Sequence, residues 1–283
     1  MLRKTLRIMN KANETITLDL RHREDVHEAP VIILVHGFKG FKDWGFFPDL
    51  AERLAIDGYV TLAFNFSRNG IGYDPRTFEH LDAFSENTHS HEVDDLQCVL
   101  DAVLENKMAR NYADPERIGL LGHSRGGGTA LLAAARQTDV VSCVVTWAAV
   151  SSFFRYSDEQ IAQWQKKGFI EIENARTKQM MPIKKSFWDD LNANSEKLDI
   201  VKACENQENP VLFVHGSDDE TVDVEESEKL HEACGSYVKR LEIIENAGHT
   251  FNVKHPMDRD KPPAEYLTAC DLTENWFDNY LNI

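Results

Sequence analysis

The stretch Arg117-Ile118-Gly119-Leu120-Leu121-Gly122-His123-Ser124-Arg125-Gly126-Gly127-Gly128 decides how the chain is read. Ile118 to Leu121 is an apolar run of strand length, and Thr129 to Arg136 (TALLAAAR) is built from strong helix formers. The chain therefore passes from strand to helix through one serine. A non-glycine residue held in so sharp a turn costs about 1–3 kcal/mol, a strain that persists where it serves a site. The turn lifts the Ser124 hydroxyl clear of the sheet edge. Gly122 and Gly126 stand two residues either side, where a Cβ would collide as strand and helix close together. This G-x-S-x-G pattern reads as a nucleophile elbow. A phosphate-cradling loop is the competing reading, but neither G-x-x-x-x-G-K-[ST] nor G-x-G-x-x-G fits.

Outward from the elbow, strand and helix patterns alternate. Residues 3–9 and 15–20 have period-two apolar positions (Leu6, Ile8; Ile16, Leu18, Leu20) around Asn10-Lys11-Ala12-Asn13, which predicts an antiparallel hairpin. Val31 to Val35 is a continuous β-branched run, as a strand covered on both faces would be, and it stops at His36-Gly37-Phe38-Lys39-Gly40. A helix over Phe47 to Ile56, a strand over Tyr59 to Phe66, a loop over Asn65 to Pro75 and a helix over Val93 to Leu104 lead into the elbow. Strands at Val140 to Val150, Val211 to Val214 and Arg240 to Ile244 follow, with helices at Val224 to Ala233 and Ala264 to Tyr280. This order predicts an α/β fold, a mostly parallel, doubly wound sheet. One connection far exceeds the dozen or so residues that a crossover needs. Residues 1–150 and 209–283 are expected to form the core, and 151–208, with Phe153, Phe154, Tyr156, Trp164, Phe169 and Trp188, a cap inserted above the strand ends.

The totals narrow the class. A chain of 283 residues can bury a large core, and 31 Lys and Arg against 47 Asp and Glu leave a formal charge of −16, which disfavours nucleic acid and anionic membranes. The start, MLRKTLRIMNKANETITLDL, has no apolar segment of a secretory signal, and no run approaches the roughly 18 apolar residues of a membrane span. Five scattered cysteines without a C-x-x-C pair suit reduced thiols. A cytoplasmic location is expected.

A serine nucleophile needs a base and a group that orients the base. Acidic residues follow the Val211 strand in His215-Gly216-Ser217-Asp218-Asp219-Glu220-Thr221-Val222, and a histidine follows the next strand in Glu245-Asn246-Ala247-Gly248-His249-Thr250-Phe251. The chain order is Ser, Asp, His. Through HGFKG, GHSRGG, HGSDDETV and NAGHTF the sequence resembles serine α/β-hydrolases, in the branch of dienelactone-hydrolase-like and cinnamoyl (feruloyl) esterase-like proteins. Dienelactone hydrolases proper carry a cysteine nucleophile, and Ser124 in that position points to ordinary ester chemistry. The family pattern G-x-x-D-x-x-V maps onto Gly216, Asp219 and Val222, which selects Asp219 over Asp218 and Asp223.

The expected catalytic residues are thus Ser124, Asp219 and His249, with the backbone N–H groups of Phe38 and Arg125 as an oxyanion hole. His36 and His215 end buried strands and read as structural, His123 as a packing residue, and His255 as a residue at the entrance. His91 and Asp95, one helical turn apart, invite a metal reading, but acidic residues at a helix N-terminus are the plainer account. The Arg125 side chain is expected in a surface ion pair rather than on a substrate carboxylate. Phe153, Trp164 and Trp188 are expected to wall the substrate pocket. The activity expected is hydrolysis of short-chain or aromatic acyl esters of the cinnamoyl type, without metal or organic cofactor. A small-molecule ester is the expected partner, with no nucleic acid or membrane, and a homodimer is left open. Amide hydrolysis or acyl transfer by the same triad, or slow turnover in a ligand-binding relative, are the alternatives.

Overall fold

The chain, described by a computed structural model over residues 1–74, 77–105, 107–109 and 111–281, alternates strands and helices along most of its length. The strands are β1 (Leu2–Met9), β2 (Thr15–His22), β3 (Ala29–Val35), β4 (Val60–Asn65), β5 (Ala113–His123), β6 (Val141–Trp147), β7 (Phe169–Glu173), β8 (Met180–Lys184), β9 (Val211–Gly216) and β10 (Lys239–Ile244). The helices are α1 (Phe47–Ile56), α2 (Leu81–Ser85), α3 (His89–Leu104), α4 (Arg125–Arg136), α5 (Asp158–Lys167), α6 (Lys185–Ala193), α7 (Ile200–Glu205), α8 (Val224–Ala233) and α9 (Ala264–Leu281). Eight strands form one sheet in the order β1-β2-β4-β3-β5-β6-β9-β10. From β4 to β10 the neighbours are parallel, and the β1–β2 hairpin joins antiparallel through β2 on β4.

Both faces of the sheet are covered, which is why β3 shows no apolar alternation. Val31, Ile33 and Val35 face the cluster under α3, α4 and α8, while Ile32 and Leu34 face the one under α1 and α9. The hairpin buries Asp19, and Arg3 and Lys42 hold it at 2.8 and 3.0 Å. Its turn is anchored through Asn10, which donates to Asp95 at 2.7 Å, and through Glu14, which lies 2.7 Å from His91 Nε2. His91 and Asp95 are therefore engaged in joining the hairpin to α3.

Several boundaries differ from the sequence expectation. α3 begins at His89 rather than Val93, with Thr88 as N-cap accepting from the His91 N–H at 3.2 Å. Its first turn buries His89 and Glu92, polar residues that an apolar stripe cannot reveal. α4 starts at Arg125, directly after Ser124, and β6 stops at Trp147 because Ala148 turns with a φ of 48°. α2, α6 and α7 were not among the expected helices. Pro75, the last residue of the expected Asn65–Pro75 loop, lies outside the described residues.

The long connection between β6 and β9 holds α5, the β7–β8 hairpin, α6 and α7. α5 opens on a capping box of Ser157 and Gln160 and closes at Gly168, whose φ is 79°. Trp164, Ile170, Met181, Ile183 and Phe187 form a core of their own, together with Phe78 and Phe84. α7 returns to pack on α4 and α8. Among the described residues no helix is long and apolar enough to cross a membrane.

Candidate active site

Ser124 sits between β5 and α4 with φ 58° and ψ −124°, a region that a side chain rarely occupies. The turn is held from both sides. The Ser124 N–H donates to the Trp147 carbonyl oxygen at 2.8 Å, and the Ser124 carbonyl oxygen accepts from Gly127 and Gly128. A Cβ on Gly122 would lie 2.3 Å from the Gly126 oxygen, and one on Gly126 would lie 2.4 Å from the Val35 oxygen. Glycine at both places is what lets α4 close onto β5 and β3.

His249 comes from the loop after β10 and Asp219 from the loop after β9, so two parallel neighbours deliver them to the same end of the sheet as β5 delivers Ser124. His249 Nδ1 lies 2.8 Å from Asp219 Oδ2. A carboxylate oxygen can only accept, so Nδ1 carries the proton and Nε2 keeps a lone pair. Asp219 Oδ1 accepts from the Thr221 and Val222 N–H groups at 2.8 and 3.0 Å. Burial would raise this carboxyl, but hydrogen bonds from His215 and His249 outweigh it and hold Asp219 well below the usual carboxylate range. Asp218, by contrast, is exposed, and among the described residues it accepts only from the Ser217 hydroxyl at 2.8 Å.

Two further histidines fix this pair. His215 Nε2 lies 3.1 Å from Asp219 Oδ2 and 2.8 Å from the Val222 carbonyl oxygen, while its Nδ1 lies 2.6 Å from Ser227 Oγ. His123 Nε2 lies 2.9 Å from the His249 carbonyl oxygen, with the two rings 4.7 Å apart. Burial, then the neighbouring His249, pushes His123 down to about 3, so it stays neutral and donates from Nε2. His215 is a hydrogen-bonded structural residue as expected, whereas reading His123 as a packing residue understates it. They orient the Asp219 carboxylate and the His249 ring, and the signal available was a histidine near the end of β9, four residues before Asp219. His36, pushed down to about 4 by burial, is hydrogen-bonded to its own loop as expected. His255 accepts from the Gly45 N–H at 2.9 Å and packs on Trp44.

Ser124 and His249 line one cavity of about 530 Å³ beneath the β6–β9 connection. No hydrogen bond joins Ser124 Oγ to His249 among the described residues; such contacts commonly tighten only around a substrate. Gly37 lets the loop after β3 approach, since a Cβ there would lie 2.9 Å from Ser124 Cβ. The Phe38 N–H in that loop and the Arg125 N–H at the start of α4 donate to no group among the described residues.

Three expectations need correction. The Arg125 side chain is not in a surface pair: it is 9 % exposed, bonded at 2.5 Å to the still more buried Glu92, and its guanidinium stacks 4.4 Å from the Phe38 ring centre. Trp164 and Trp188 do not wall the cavity. Trp164 is fully buried, donates to the Ile183 carbonyl oxygen at 2.8 Å and stacks on Trp188, because α5, α6 and the β7–β8 hairpin need a core of their own. Phe153 does line the cavity, joined by Phe38, Tyr156 and His89, whereas Phe154 and Phe169 are largely exposed. Lys39 and Arg176, which the sequence reading passed over, are also in the wall.

Comparison with known proteins agrees with this architecture. Est1E from Butyrivibrio proteoclasticus, solved with ferulic acid bound, superposes with a TM-score of 0.74 at 18% identity, over 98% of this chain and 100% of that one. A dienelactone hydrolase from Anabaena variabilis gives a TM-score of 0.64 at 18% identity, over 99% of this chain and 98% of that one. The esterase domain of a Rhodothermus marinus protein gives 0.65 at 19% identity, over 99% of this chain and 100% of that one. An uncharacterized peptidase of Bacillus subtilis, YuxL, is 22% identical over 252 residues, which are 89% of this chain and 35% of that protein. The chain thus spans about a third of the length of that curated relative. The model of the prolyl oligopeptidase family matches residues 53–281, from α1 through the elbow and the loops that carry Asp219 and His249 to the last helix. With that match and the α/β-hydrolase fold of its sheet, the chain belongs to the prolyl oligopeptidase family.

Proposed function

We propose that this chain is a serine hydrolase of carboxylic esters, with Ser124 as nucleophile, His249 as general base and Asp219 as its orienting carboxylate. The observation that carries the reading is the strained Ser124 sharing a cavity with an imidazole whose Nδ1 is bound to a buried carboxylate, which leaves Nε2 for the serine proton. His249 takes that proton as Ser124 Oγ attacks the ester carbonyl. The N–H groups of Phe38 and Arg125 receive the oxyanion, where one lost donor typically costs about 10²–10³ in rate. His249 then protonates the leaving alcohol, and water activated by the same imidazole releases the acid from the acyl-enzyme.

Apolar and aromatic groups in the wall, Phe38, Phe153 and Tyr156 among them, suit a short or aromatic acyl group. The ferulic acid bound to Est1E is consistent with that choice. The family match favours a second reading, cleavage of a peptide amide. Among the described residues no carboxylate lines the cavity to pair with a peptide amino terminus, which supports the ester reading. The test is hydrolysis of 4-nitrophenyl acetate beside a panel of aminoacyl and prolyl anilides, by the wild type and Ser124→Ala. Ester turnover that vanishes in Ser124→Ala is expected; equal rates for the two proteins would reject Ser124, and faster anilide cleavage would select the peptidase.

A further inference from the structure

The chain has an excess of acidic side chains, 47 against 31 basic ones, yet its cavity reverses that balance. Among the described residues no Asp or Glu lines the wall, while Lys39, Arg125, Arg155 and Arg176 all do. Arg125 is matched from behind the wall by Glu92, and Arg155 by Glu226. Lys39 is different. It follows Phe38 with a φ of 56°, a left-handed conformation that costs a lysine free energy, and its ammonium donates to the Glu173 carbonyl oxygen of β7 at 3.3 Å. No carboxylate pairs with it among the described residues, and the Glu173 side chain is taken by Lys178 at 3.0 Å.

Lys39 Nζ and the Arg125 guanidinium lie 5.4 and 4.4 Å from the centre of the same Phe38 ring. Two cations thus flank the residue that offers an N–H to the oxyanion. Burial, and then the Arg125 charge, hold the Lys39 ammonium below its usual range, as expected where positive charge lacks a counter-ion. In a chain so rich in carboxylates, a partly buried cavity lysine paired with none among the described residues leaves a charge that an anionic ligand can meet.

We propose that the cavity takes an ester whose non-reacting part carries a carboxylate, and that Lys39 binds this carboxylate. The inference rests on reading the cavity as the ester site and names the class of ester. The wall attracts the anion only at short range, because the net charge of −16 repels it from afar and salt screens beyond about 8 Å. Binding is read by titration calorimetry on Ser124→Ala, where nothing is turned over, with monomethyl succinate, glutarate and adipate, each beside the neutral methyl ester of the corresponding half-amide. At least one half-ester should bind about tenfold more tightly than its amide twin at low salt. Lys39→Gln should abolish that difference and Lys39→Arg should retain most of it. Equal binding of every pair, or a preference that survives Lys39→Gln, overturns the proposal. Turnover of neutral 4-nitrophenyl acetate by the wild type tests the ester reading separately, so a failure there leaves the binding result to stand or fall alone.

Discussion

Asp219→Asn changes one oxygen into an NH₂ group, and the structure dictates which. The Thr221 and Val222 N–H groups, at 2.8 and 3.0 Å from Oδ1, can only donate, so they keep the asparagine oxygen at that place. The NH₂ must then stand where Oδ2 meets His249 Nδ1 and His215 Nε2, at 2.8 and 3.1 Å. His215 Nε2 retains its hydrogen because the Val222 carbonyl oxygen lies 2.8 Å away, so donor opposes donor. His249 is driven to the tautomer with its proton on Nε2, which cannot accept one from Ser124. A loss of about 10⁴ in kcat is expected, roughly 5.5 kcal/mol on the barrier. Stability should fall by about 1.5–3 kcal/mol for the charge-assisted bond removed.

The pH dependence has a definite sign. The carboxyl of Asp219 is held below its usual value in the folded chain, so its contribution is fully present above the unfolded value near 3.8 and is lost as pH falls towards the folded one. Urea unfolding of the wild type should therefore weaken more steeply below about pH 4 than that of Asp219→Asn. The kinetic assay is kcat for 4-nitrophenyl acetate between about pH 5 and 9, with Asp218→Asn as an exposed control expected to change it less than about twofold. An Asp219→Asn protein within tenfold of wild type, with the same pH profile, would refute the tautomer argument.

Two other substitutions probe strain and packing. Ser124→Gly should unfold at higher urea than Ser124→Ala, by about 1–2 kcal/mol, because glycine accepts a φ of 58° and ψ of −124° that alanine does not; equal midpoints would mean the elbow stores no strain. Trp164→Phe should lose about 1 kcal/mol with its bond to Ile183 while leaving KM alone, whereas Phe153→Ala should change KM; a KM change in Trp164→Phe would place that indole at the substrate.

Much of this protein was legible in local sequence. The elbow, the hairpin, α1 and α8 each depend on residues within one turn or one strand, where glycine sterics and side-chain periodicity act directly, and the order Ser, Asp, His is read straight off the chain. The tertiary structure alone decided which polar groups meet. Glu92 reaches Arg125 across 33 positions and turns an expected surface pair into a buried one, and His123 finds the His249 carbonyl oxygen across 126. The aromatics of residues 151–208 suited a pocket wall or a core equally well until the fold put Phe153 on the cavity and Trp164 beneath it. Periodicity records only that a side chain is hidden from water; what it is hidden against is set by the packing of distant segments, which no local pattern contains.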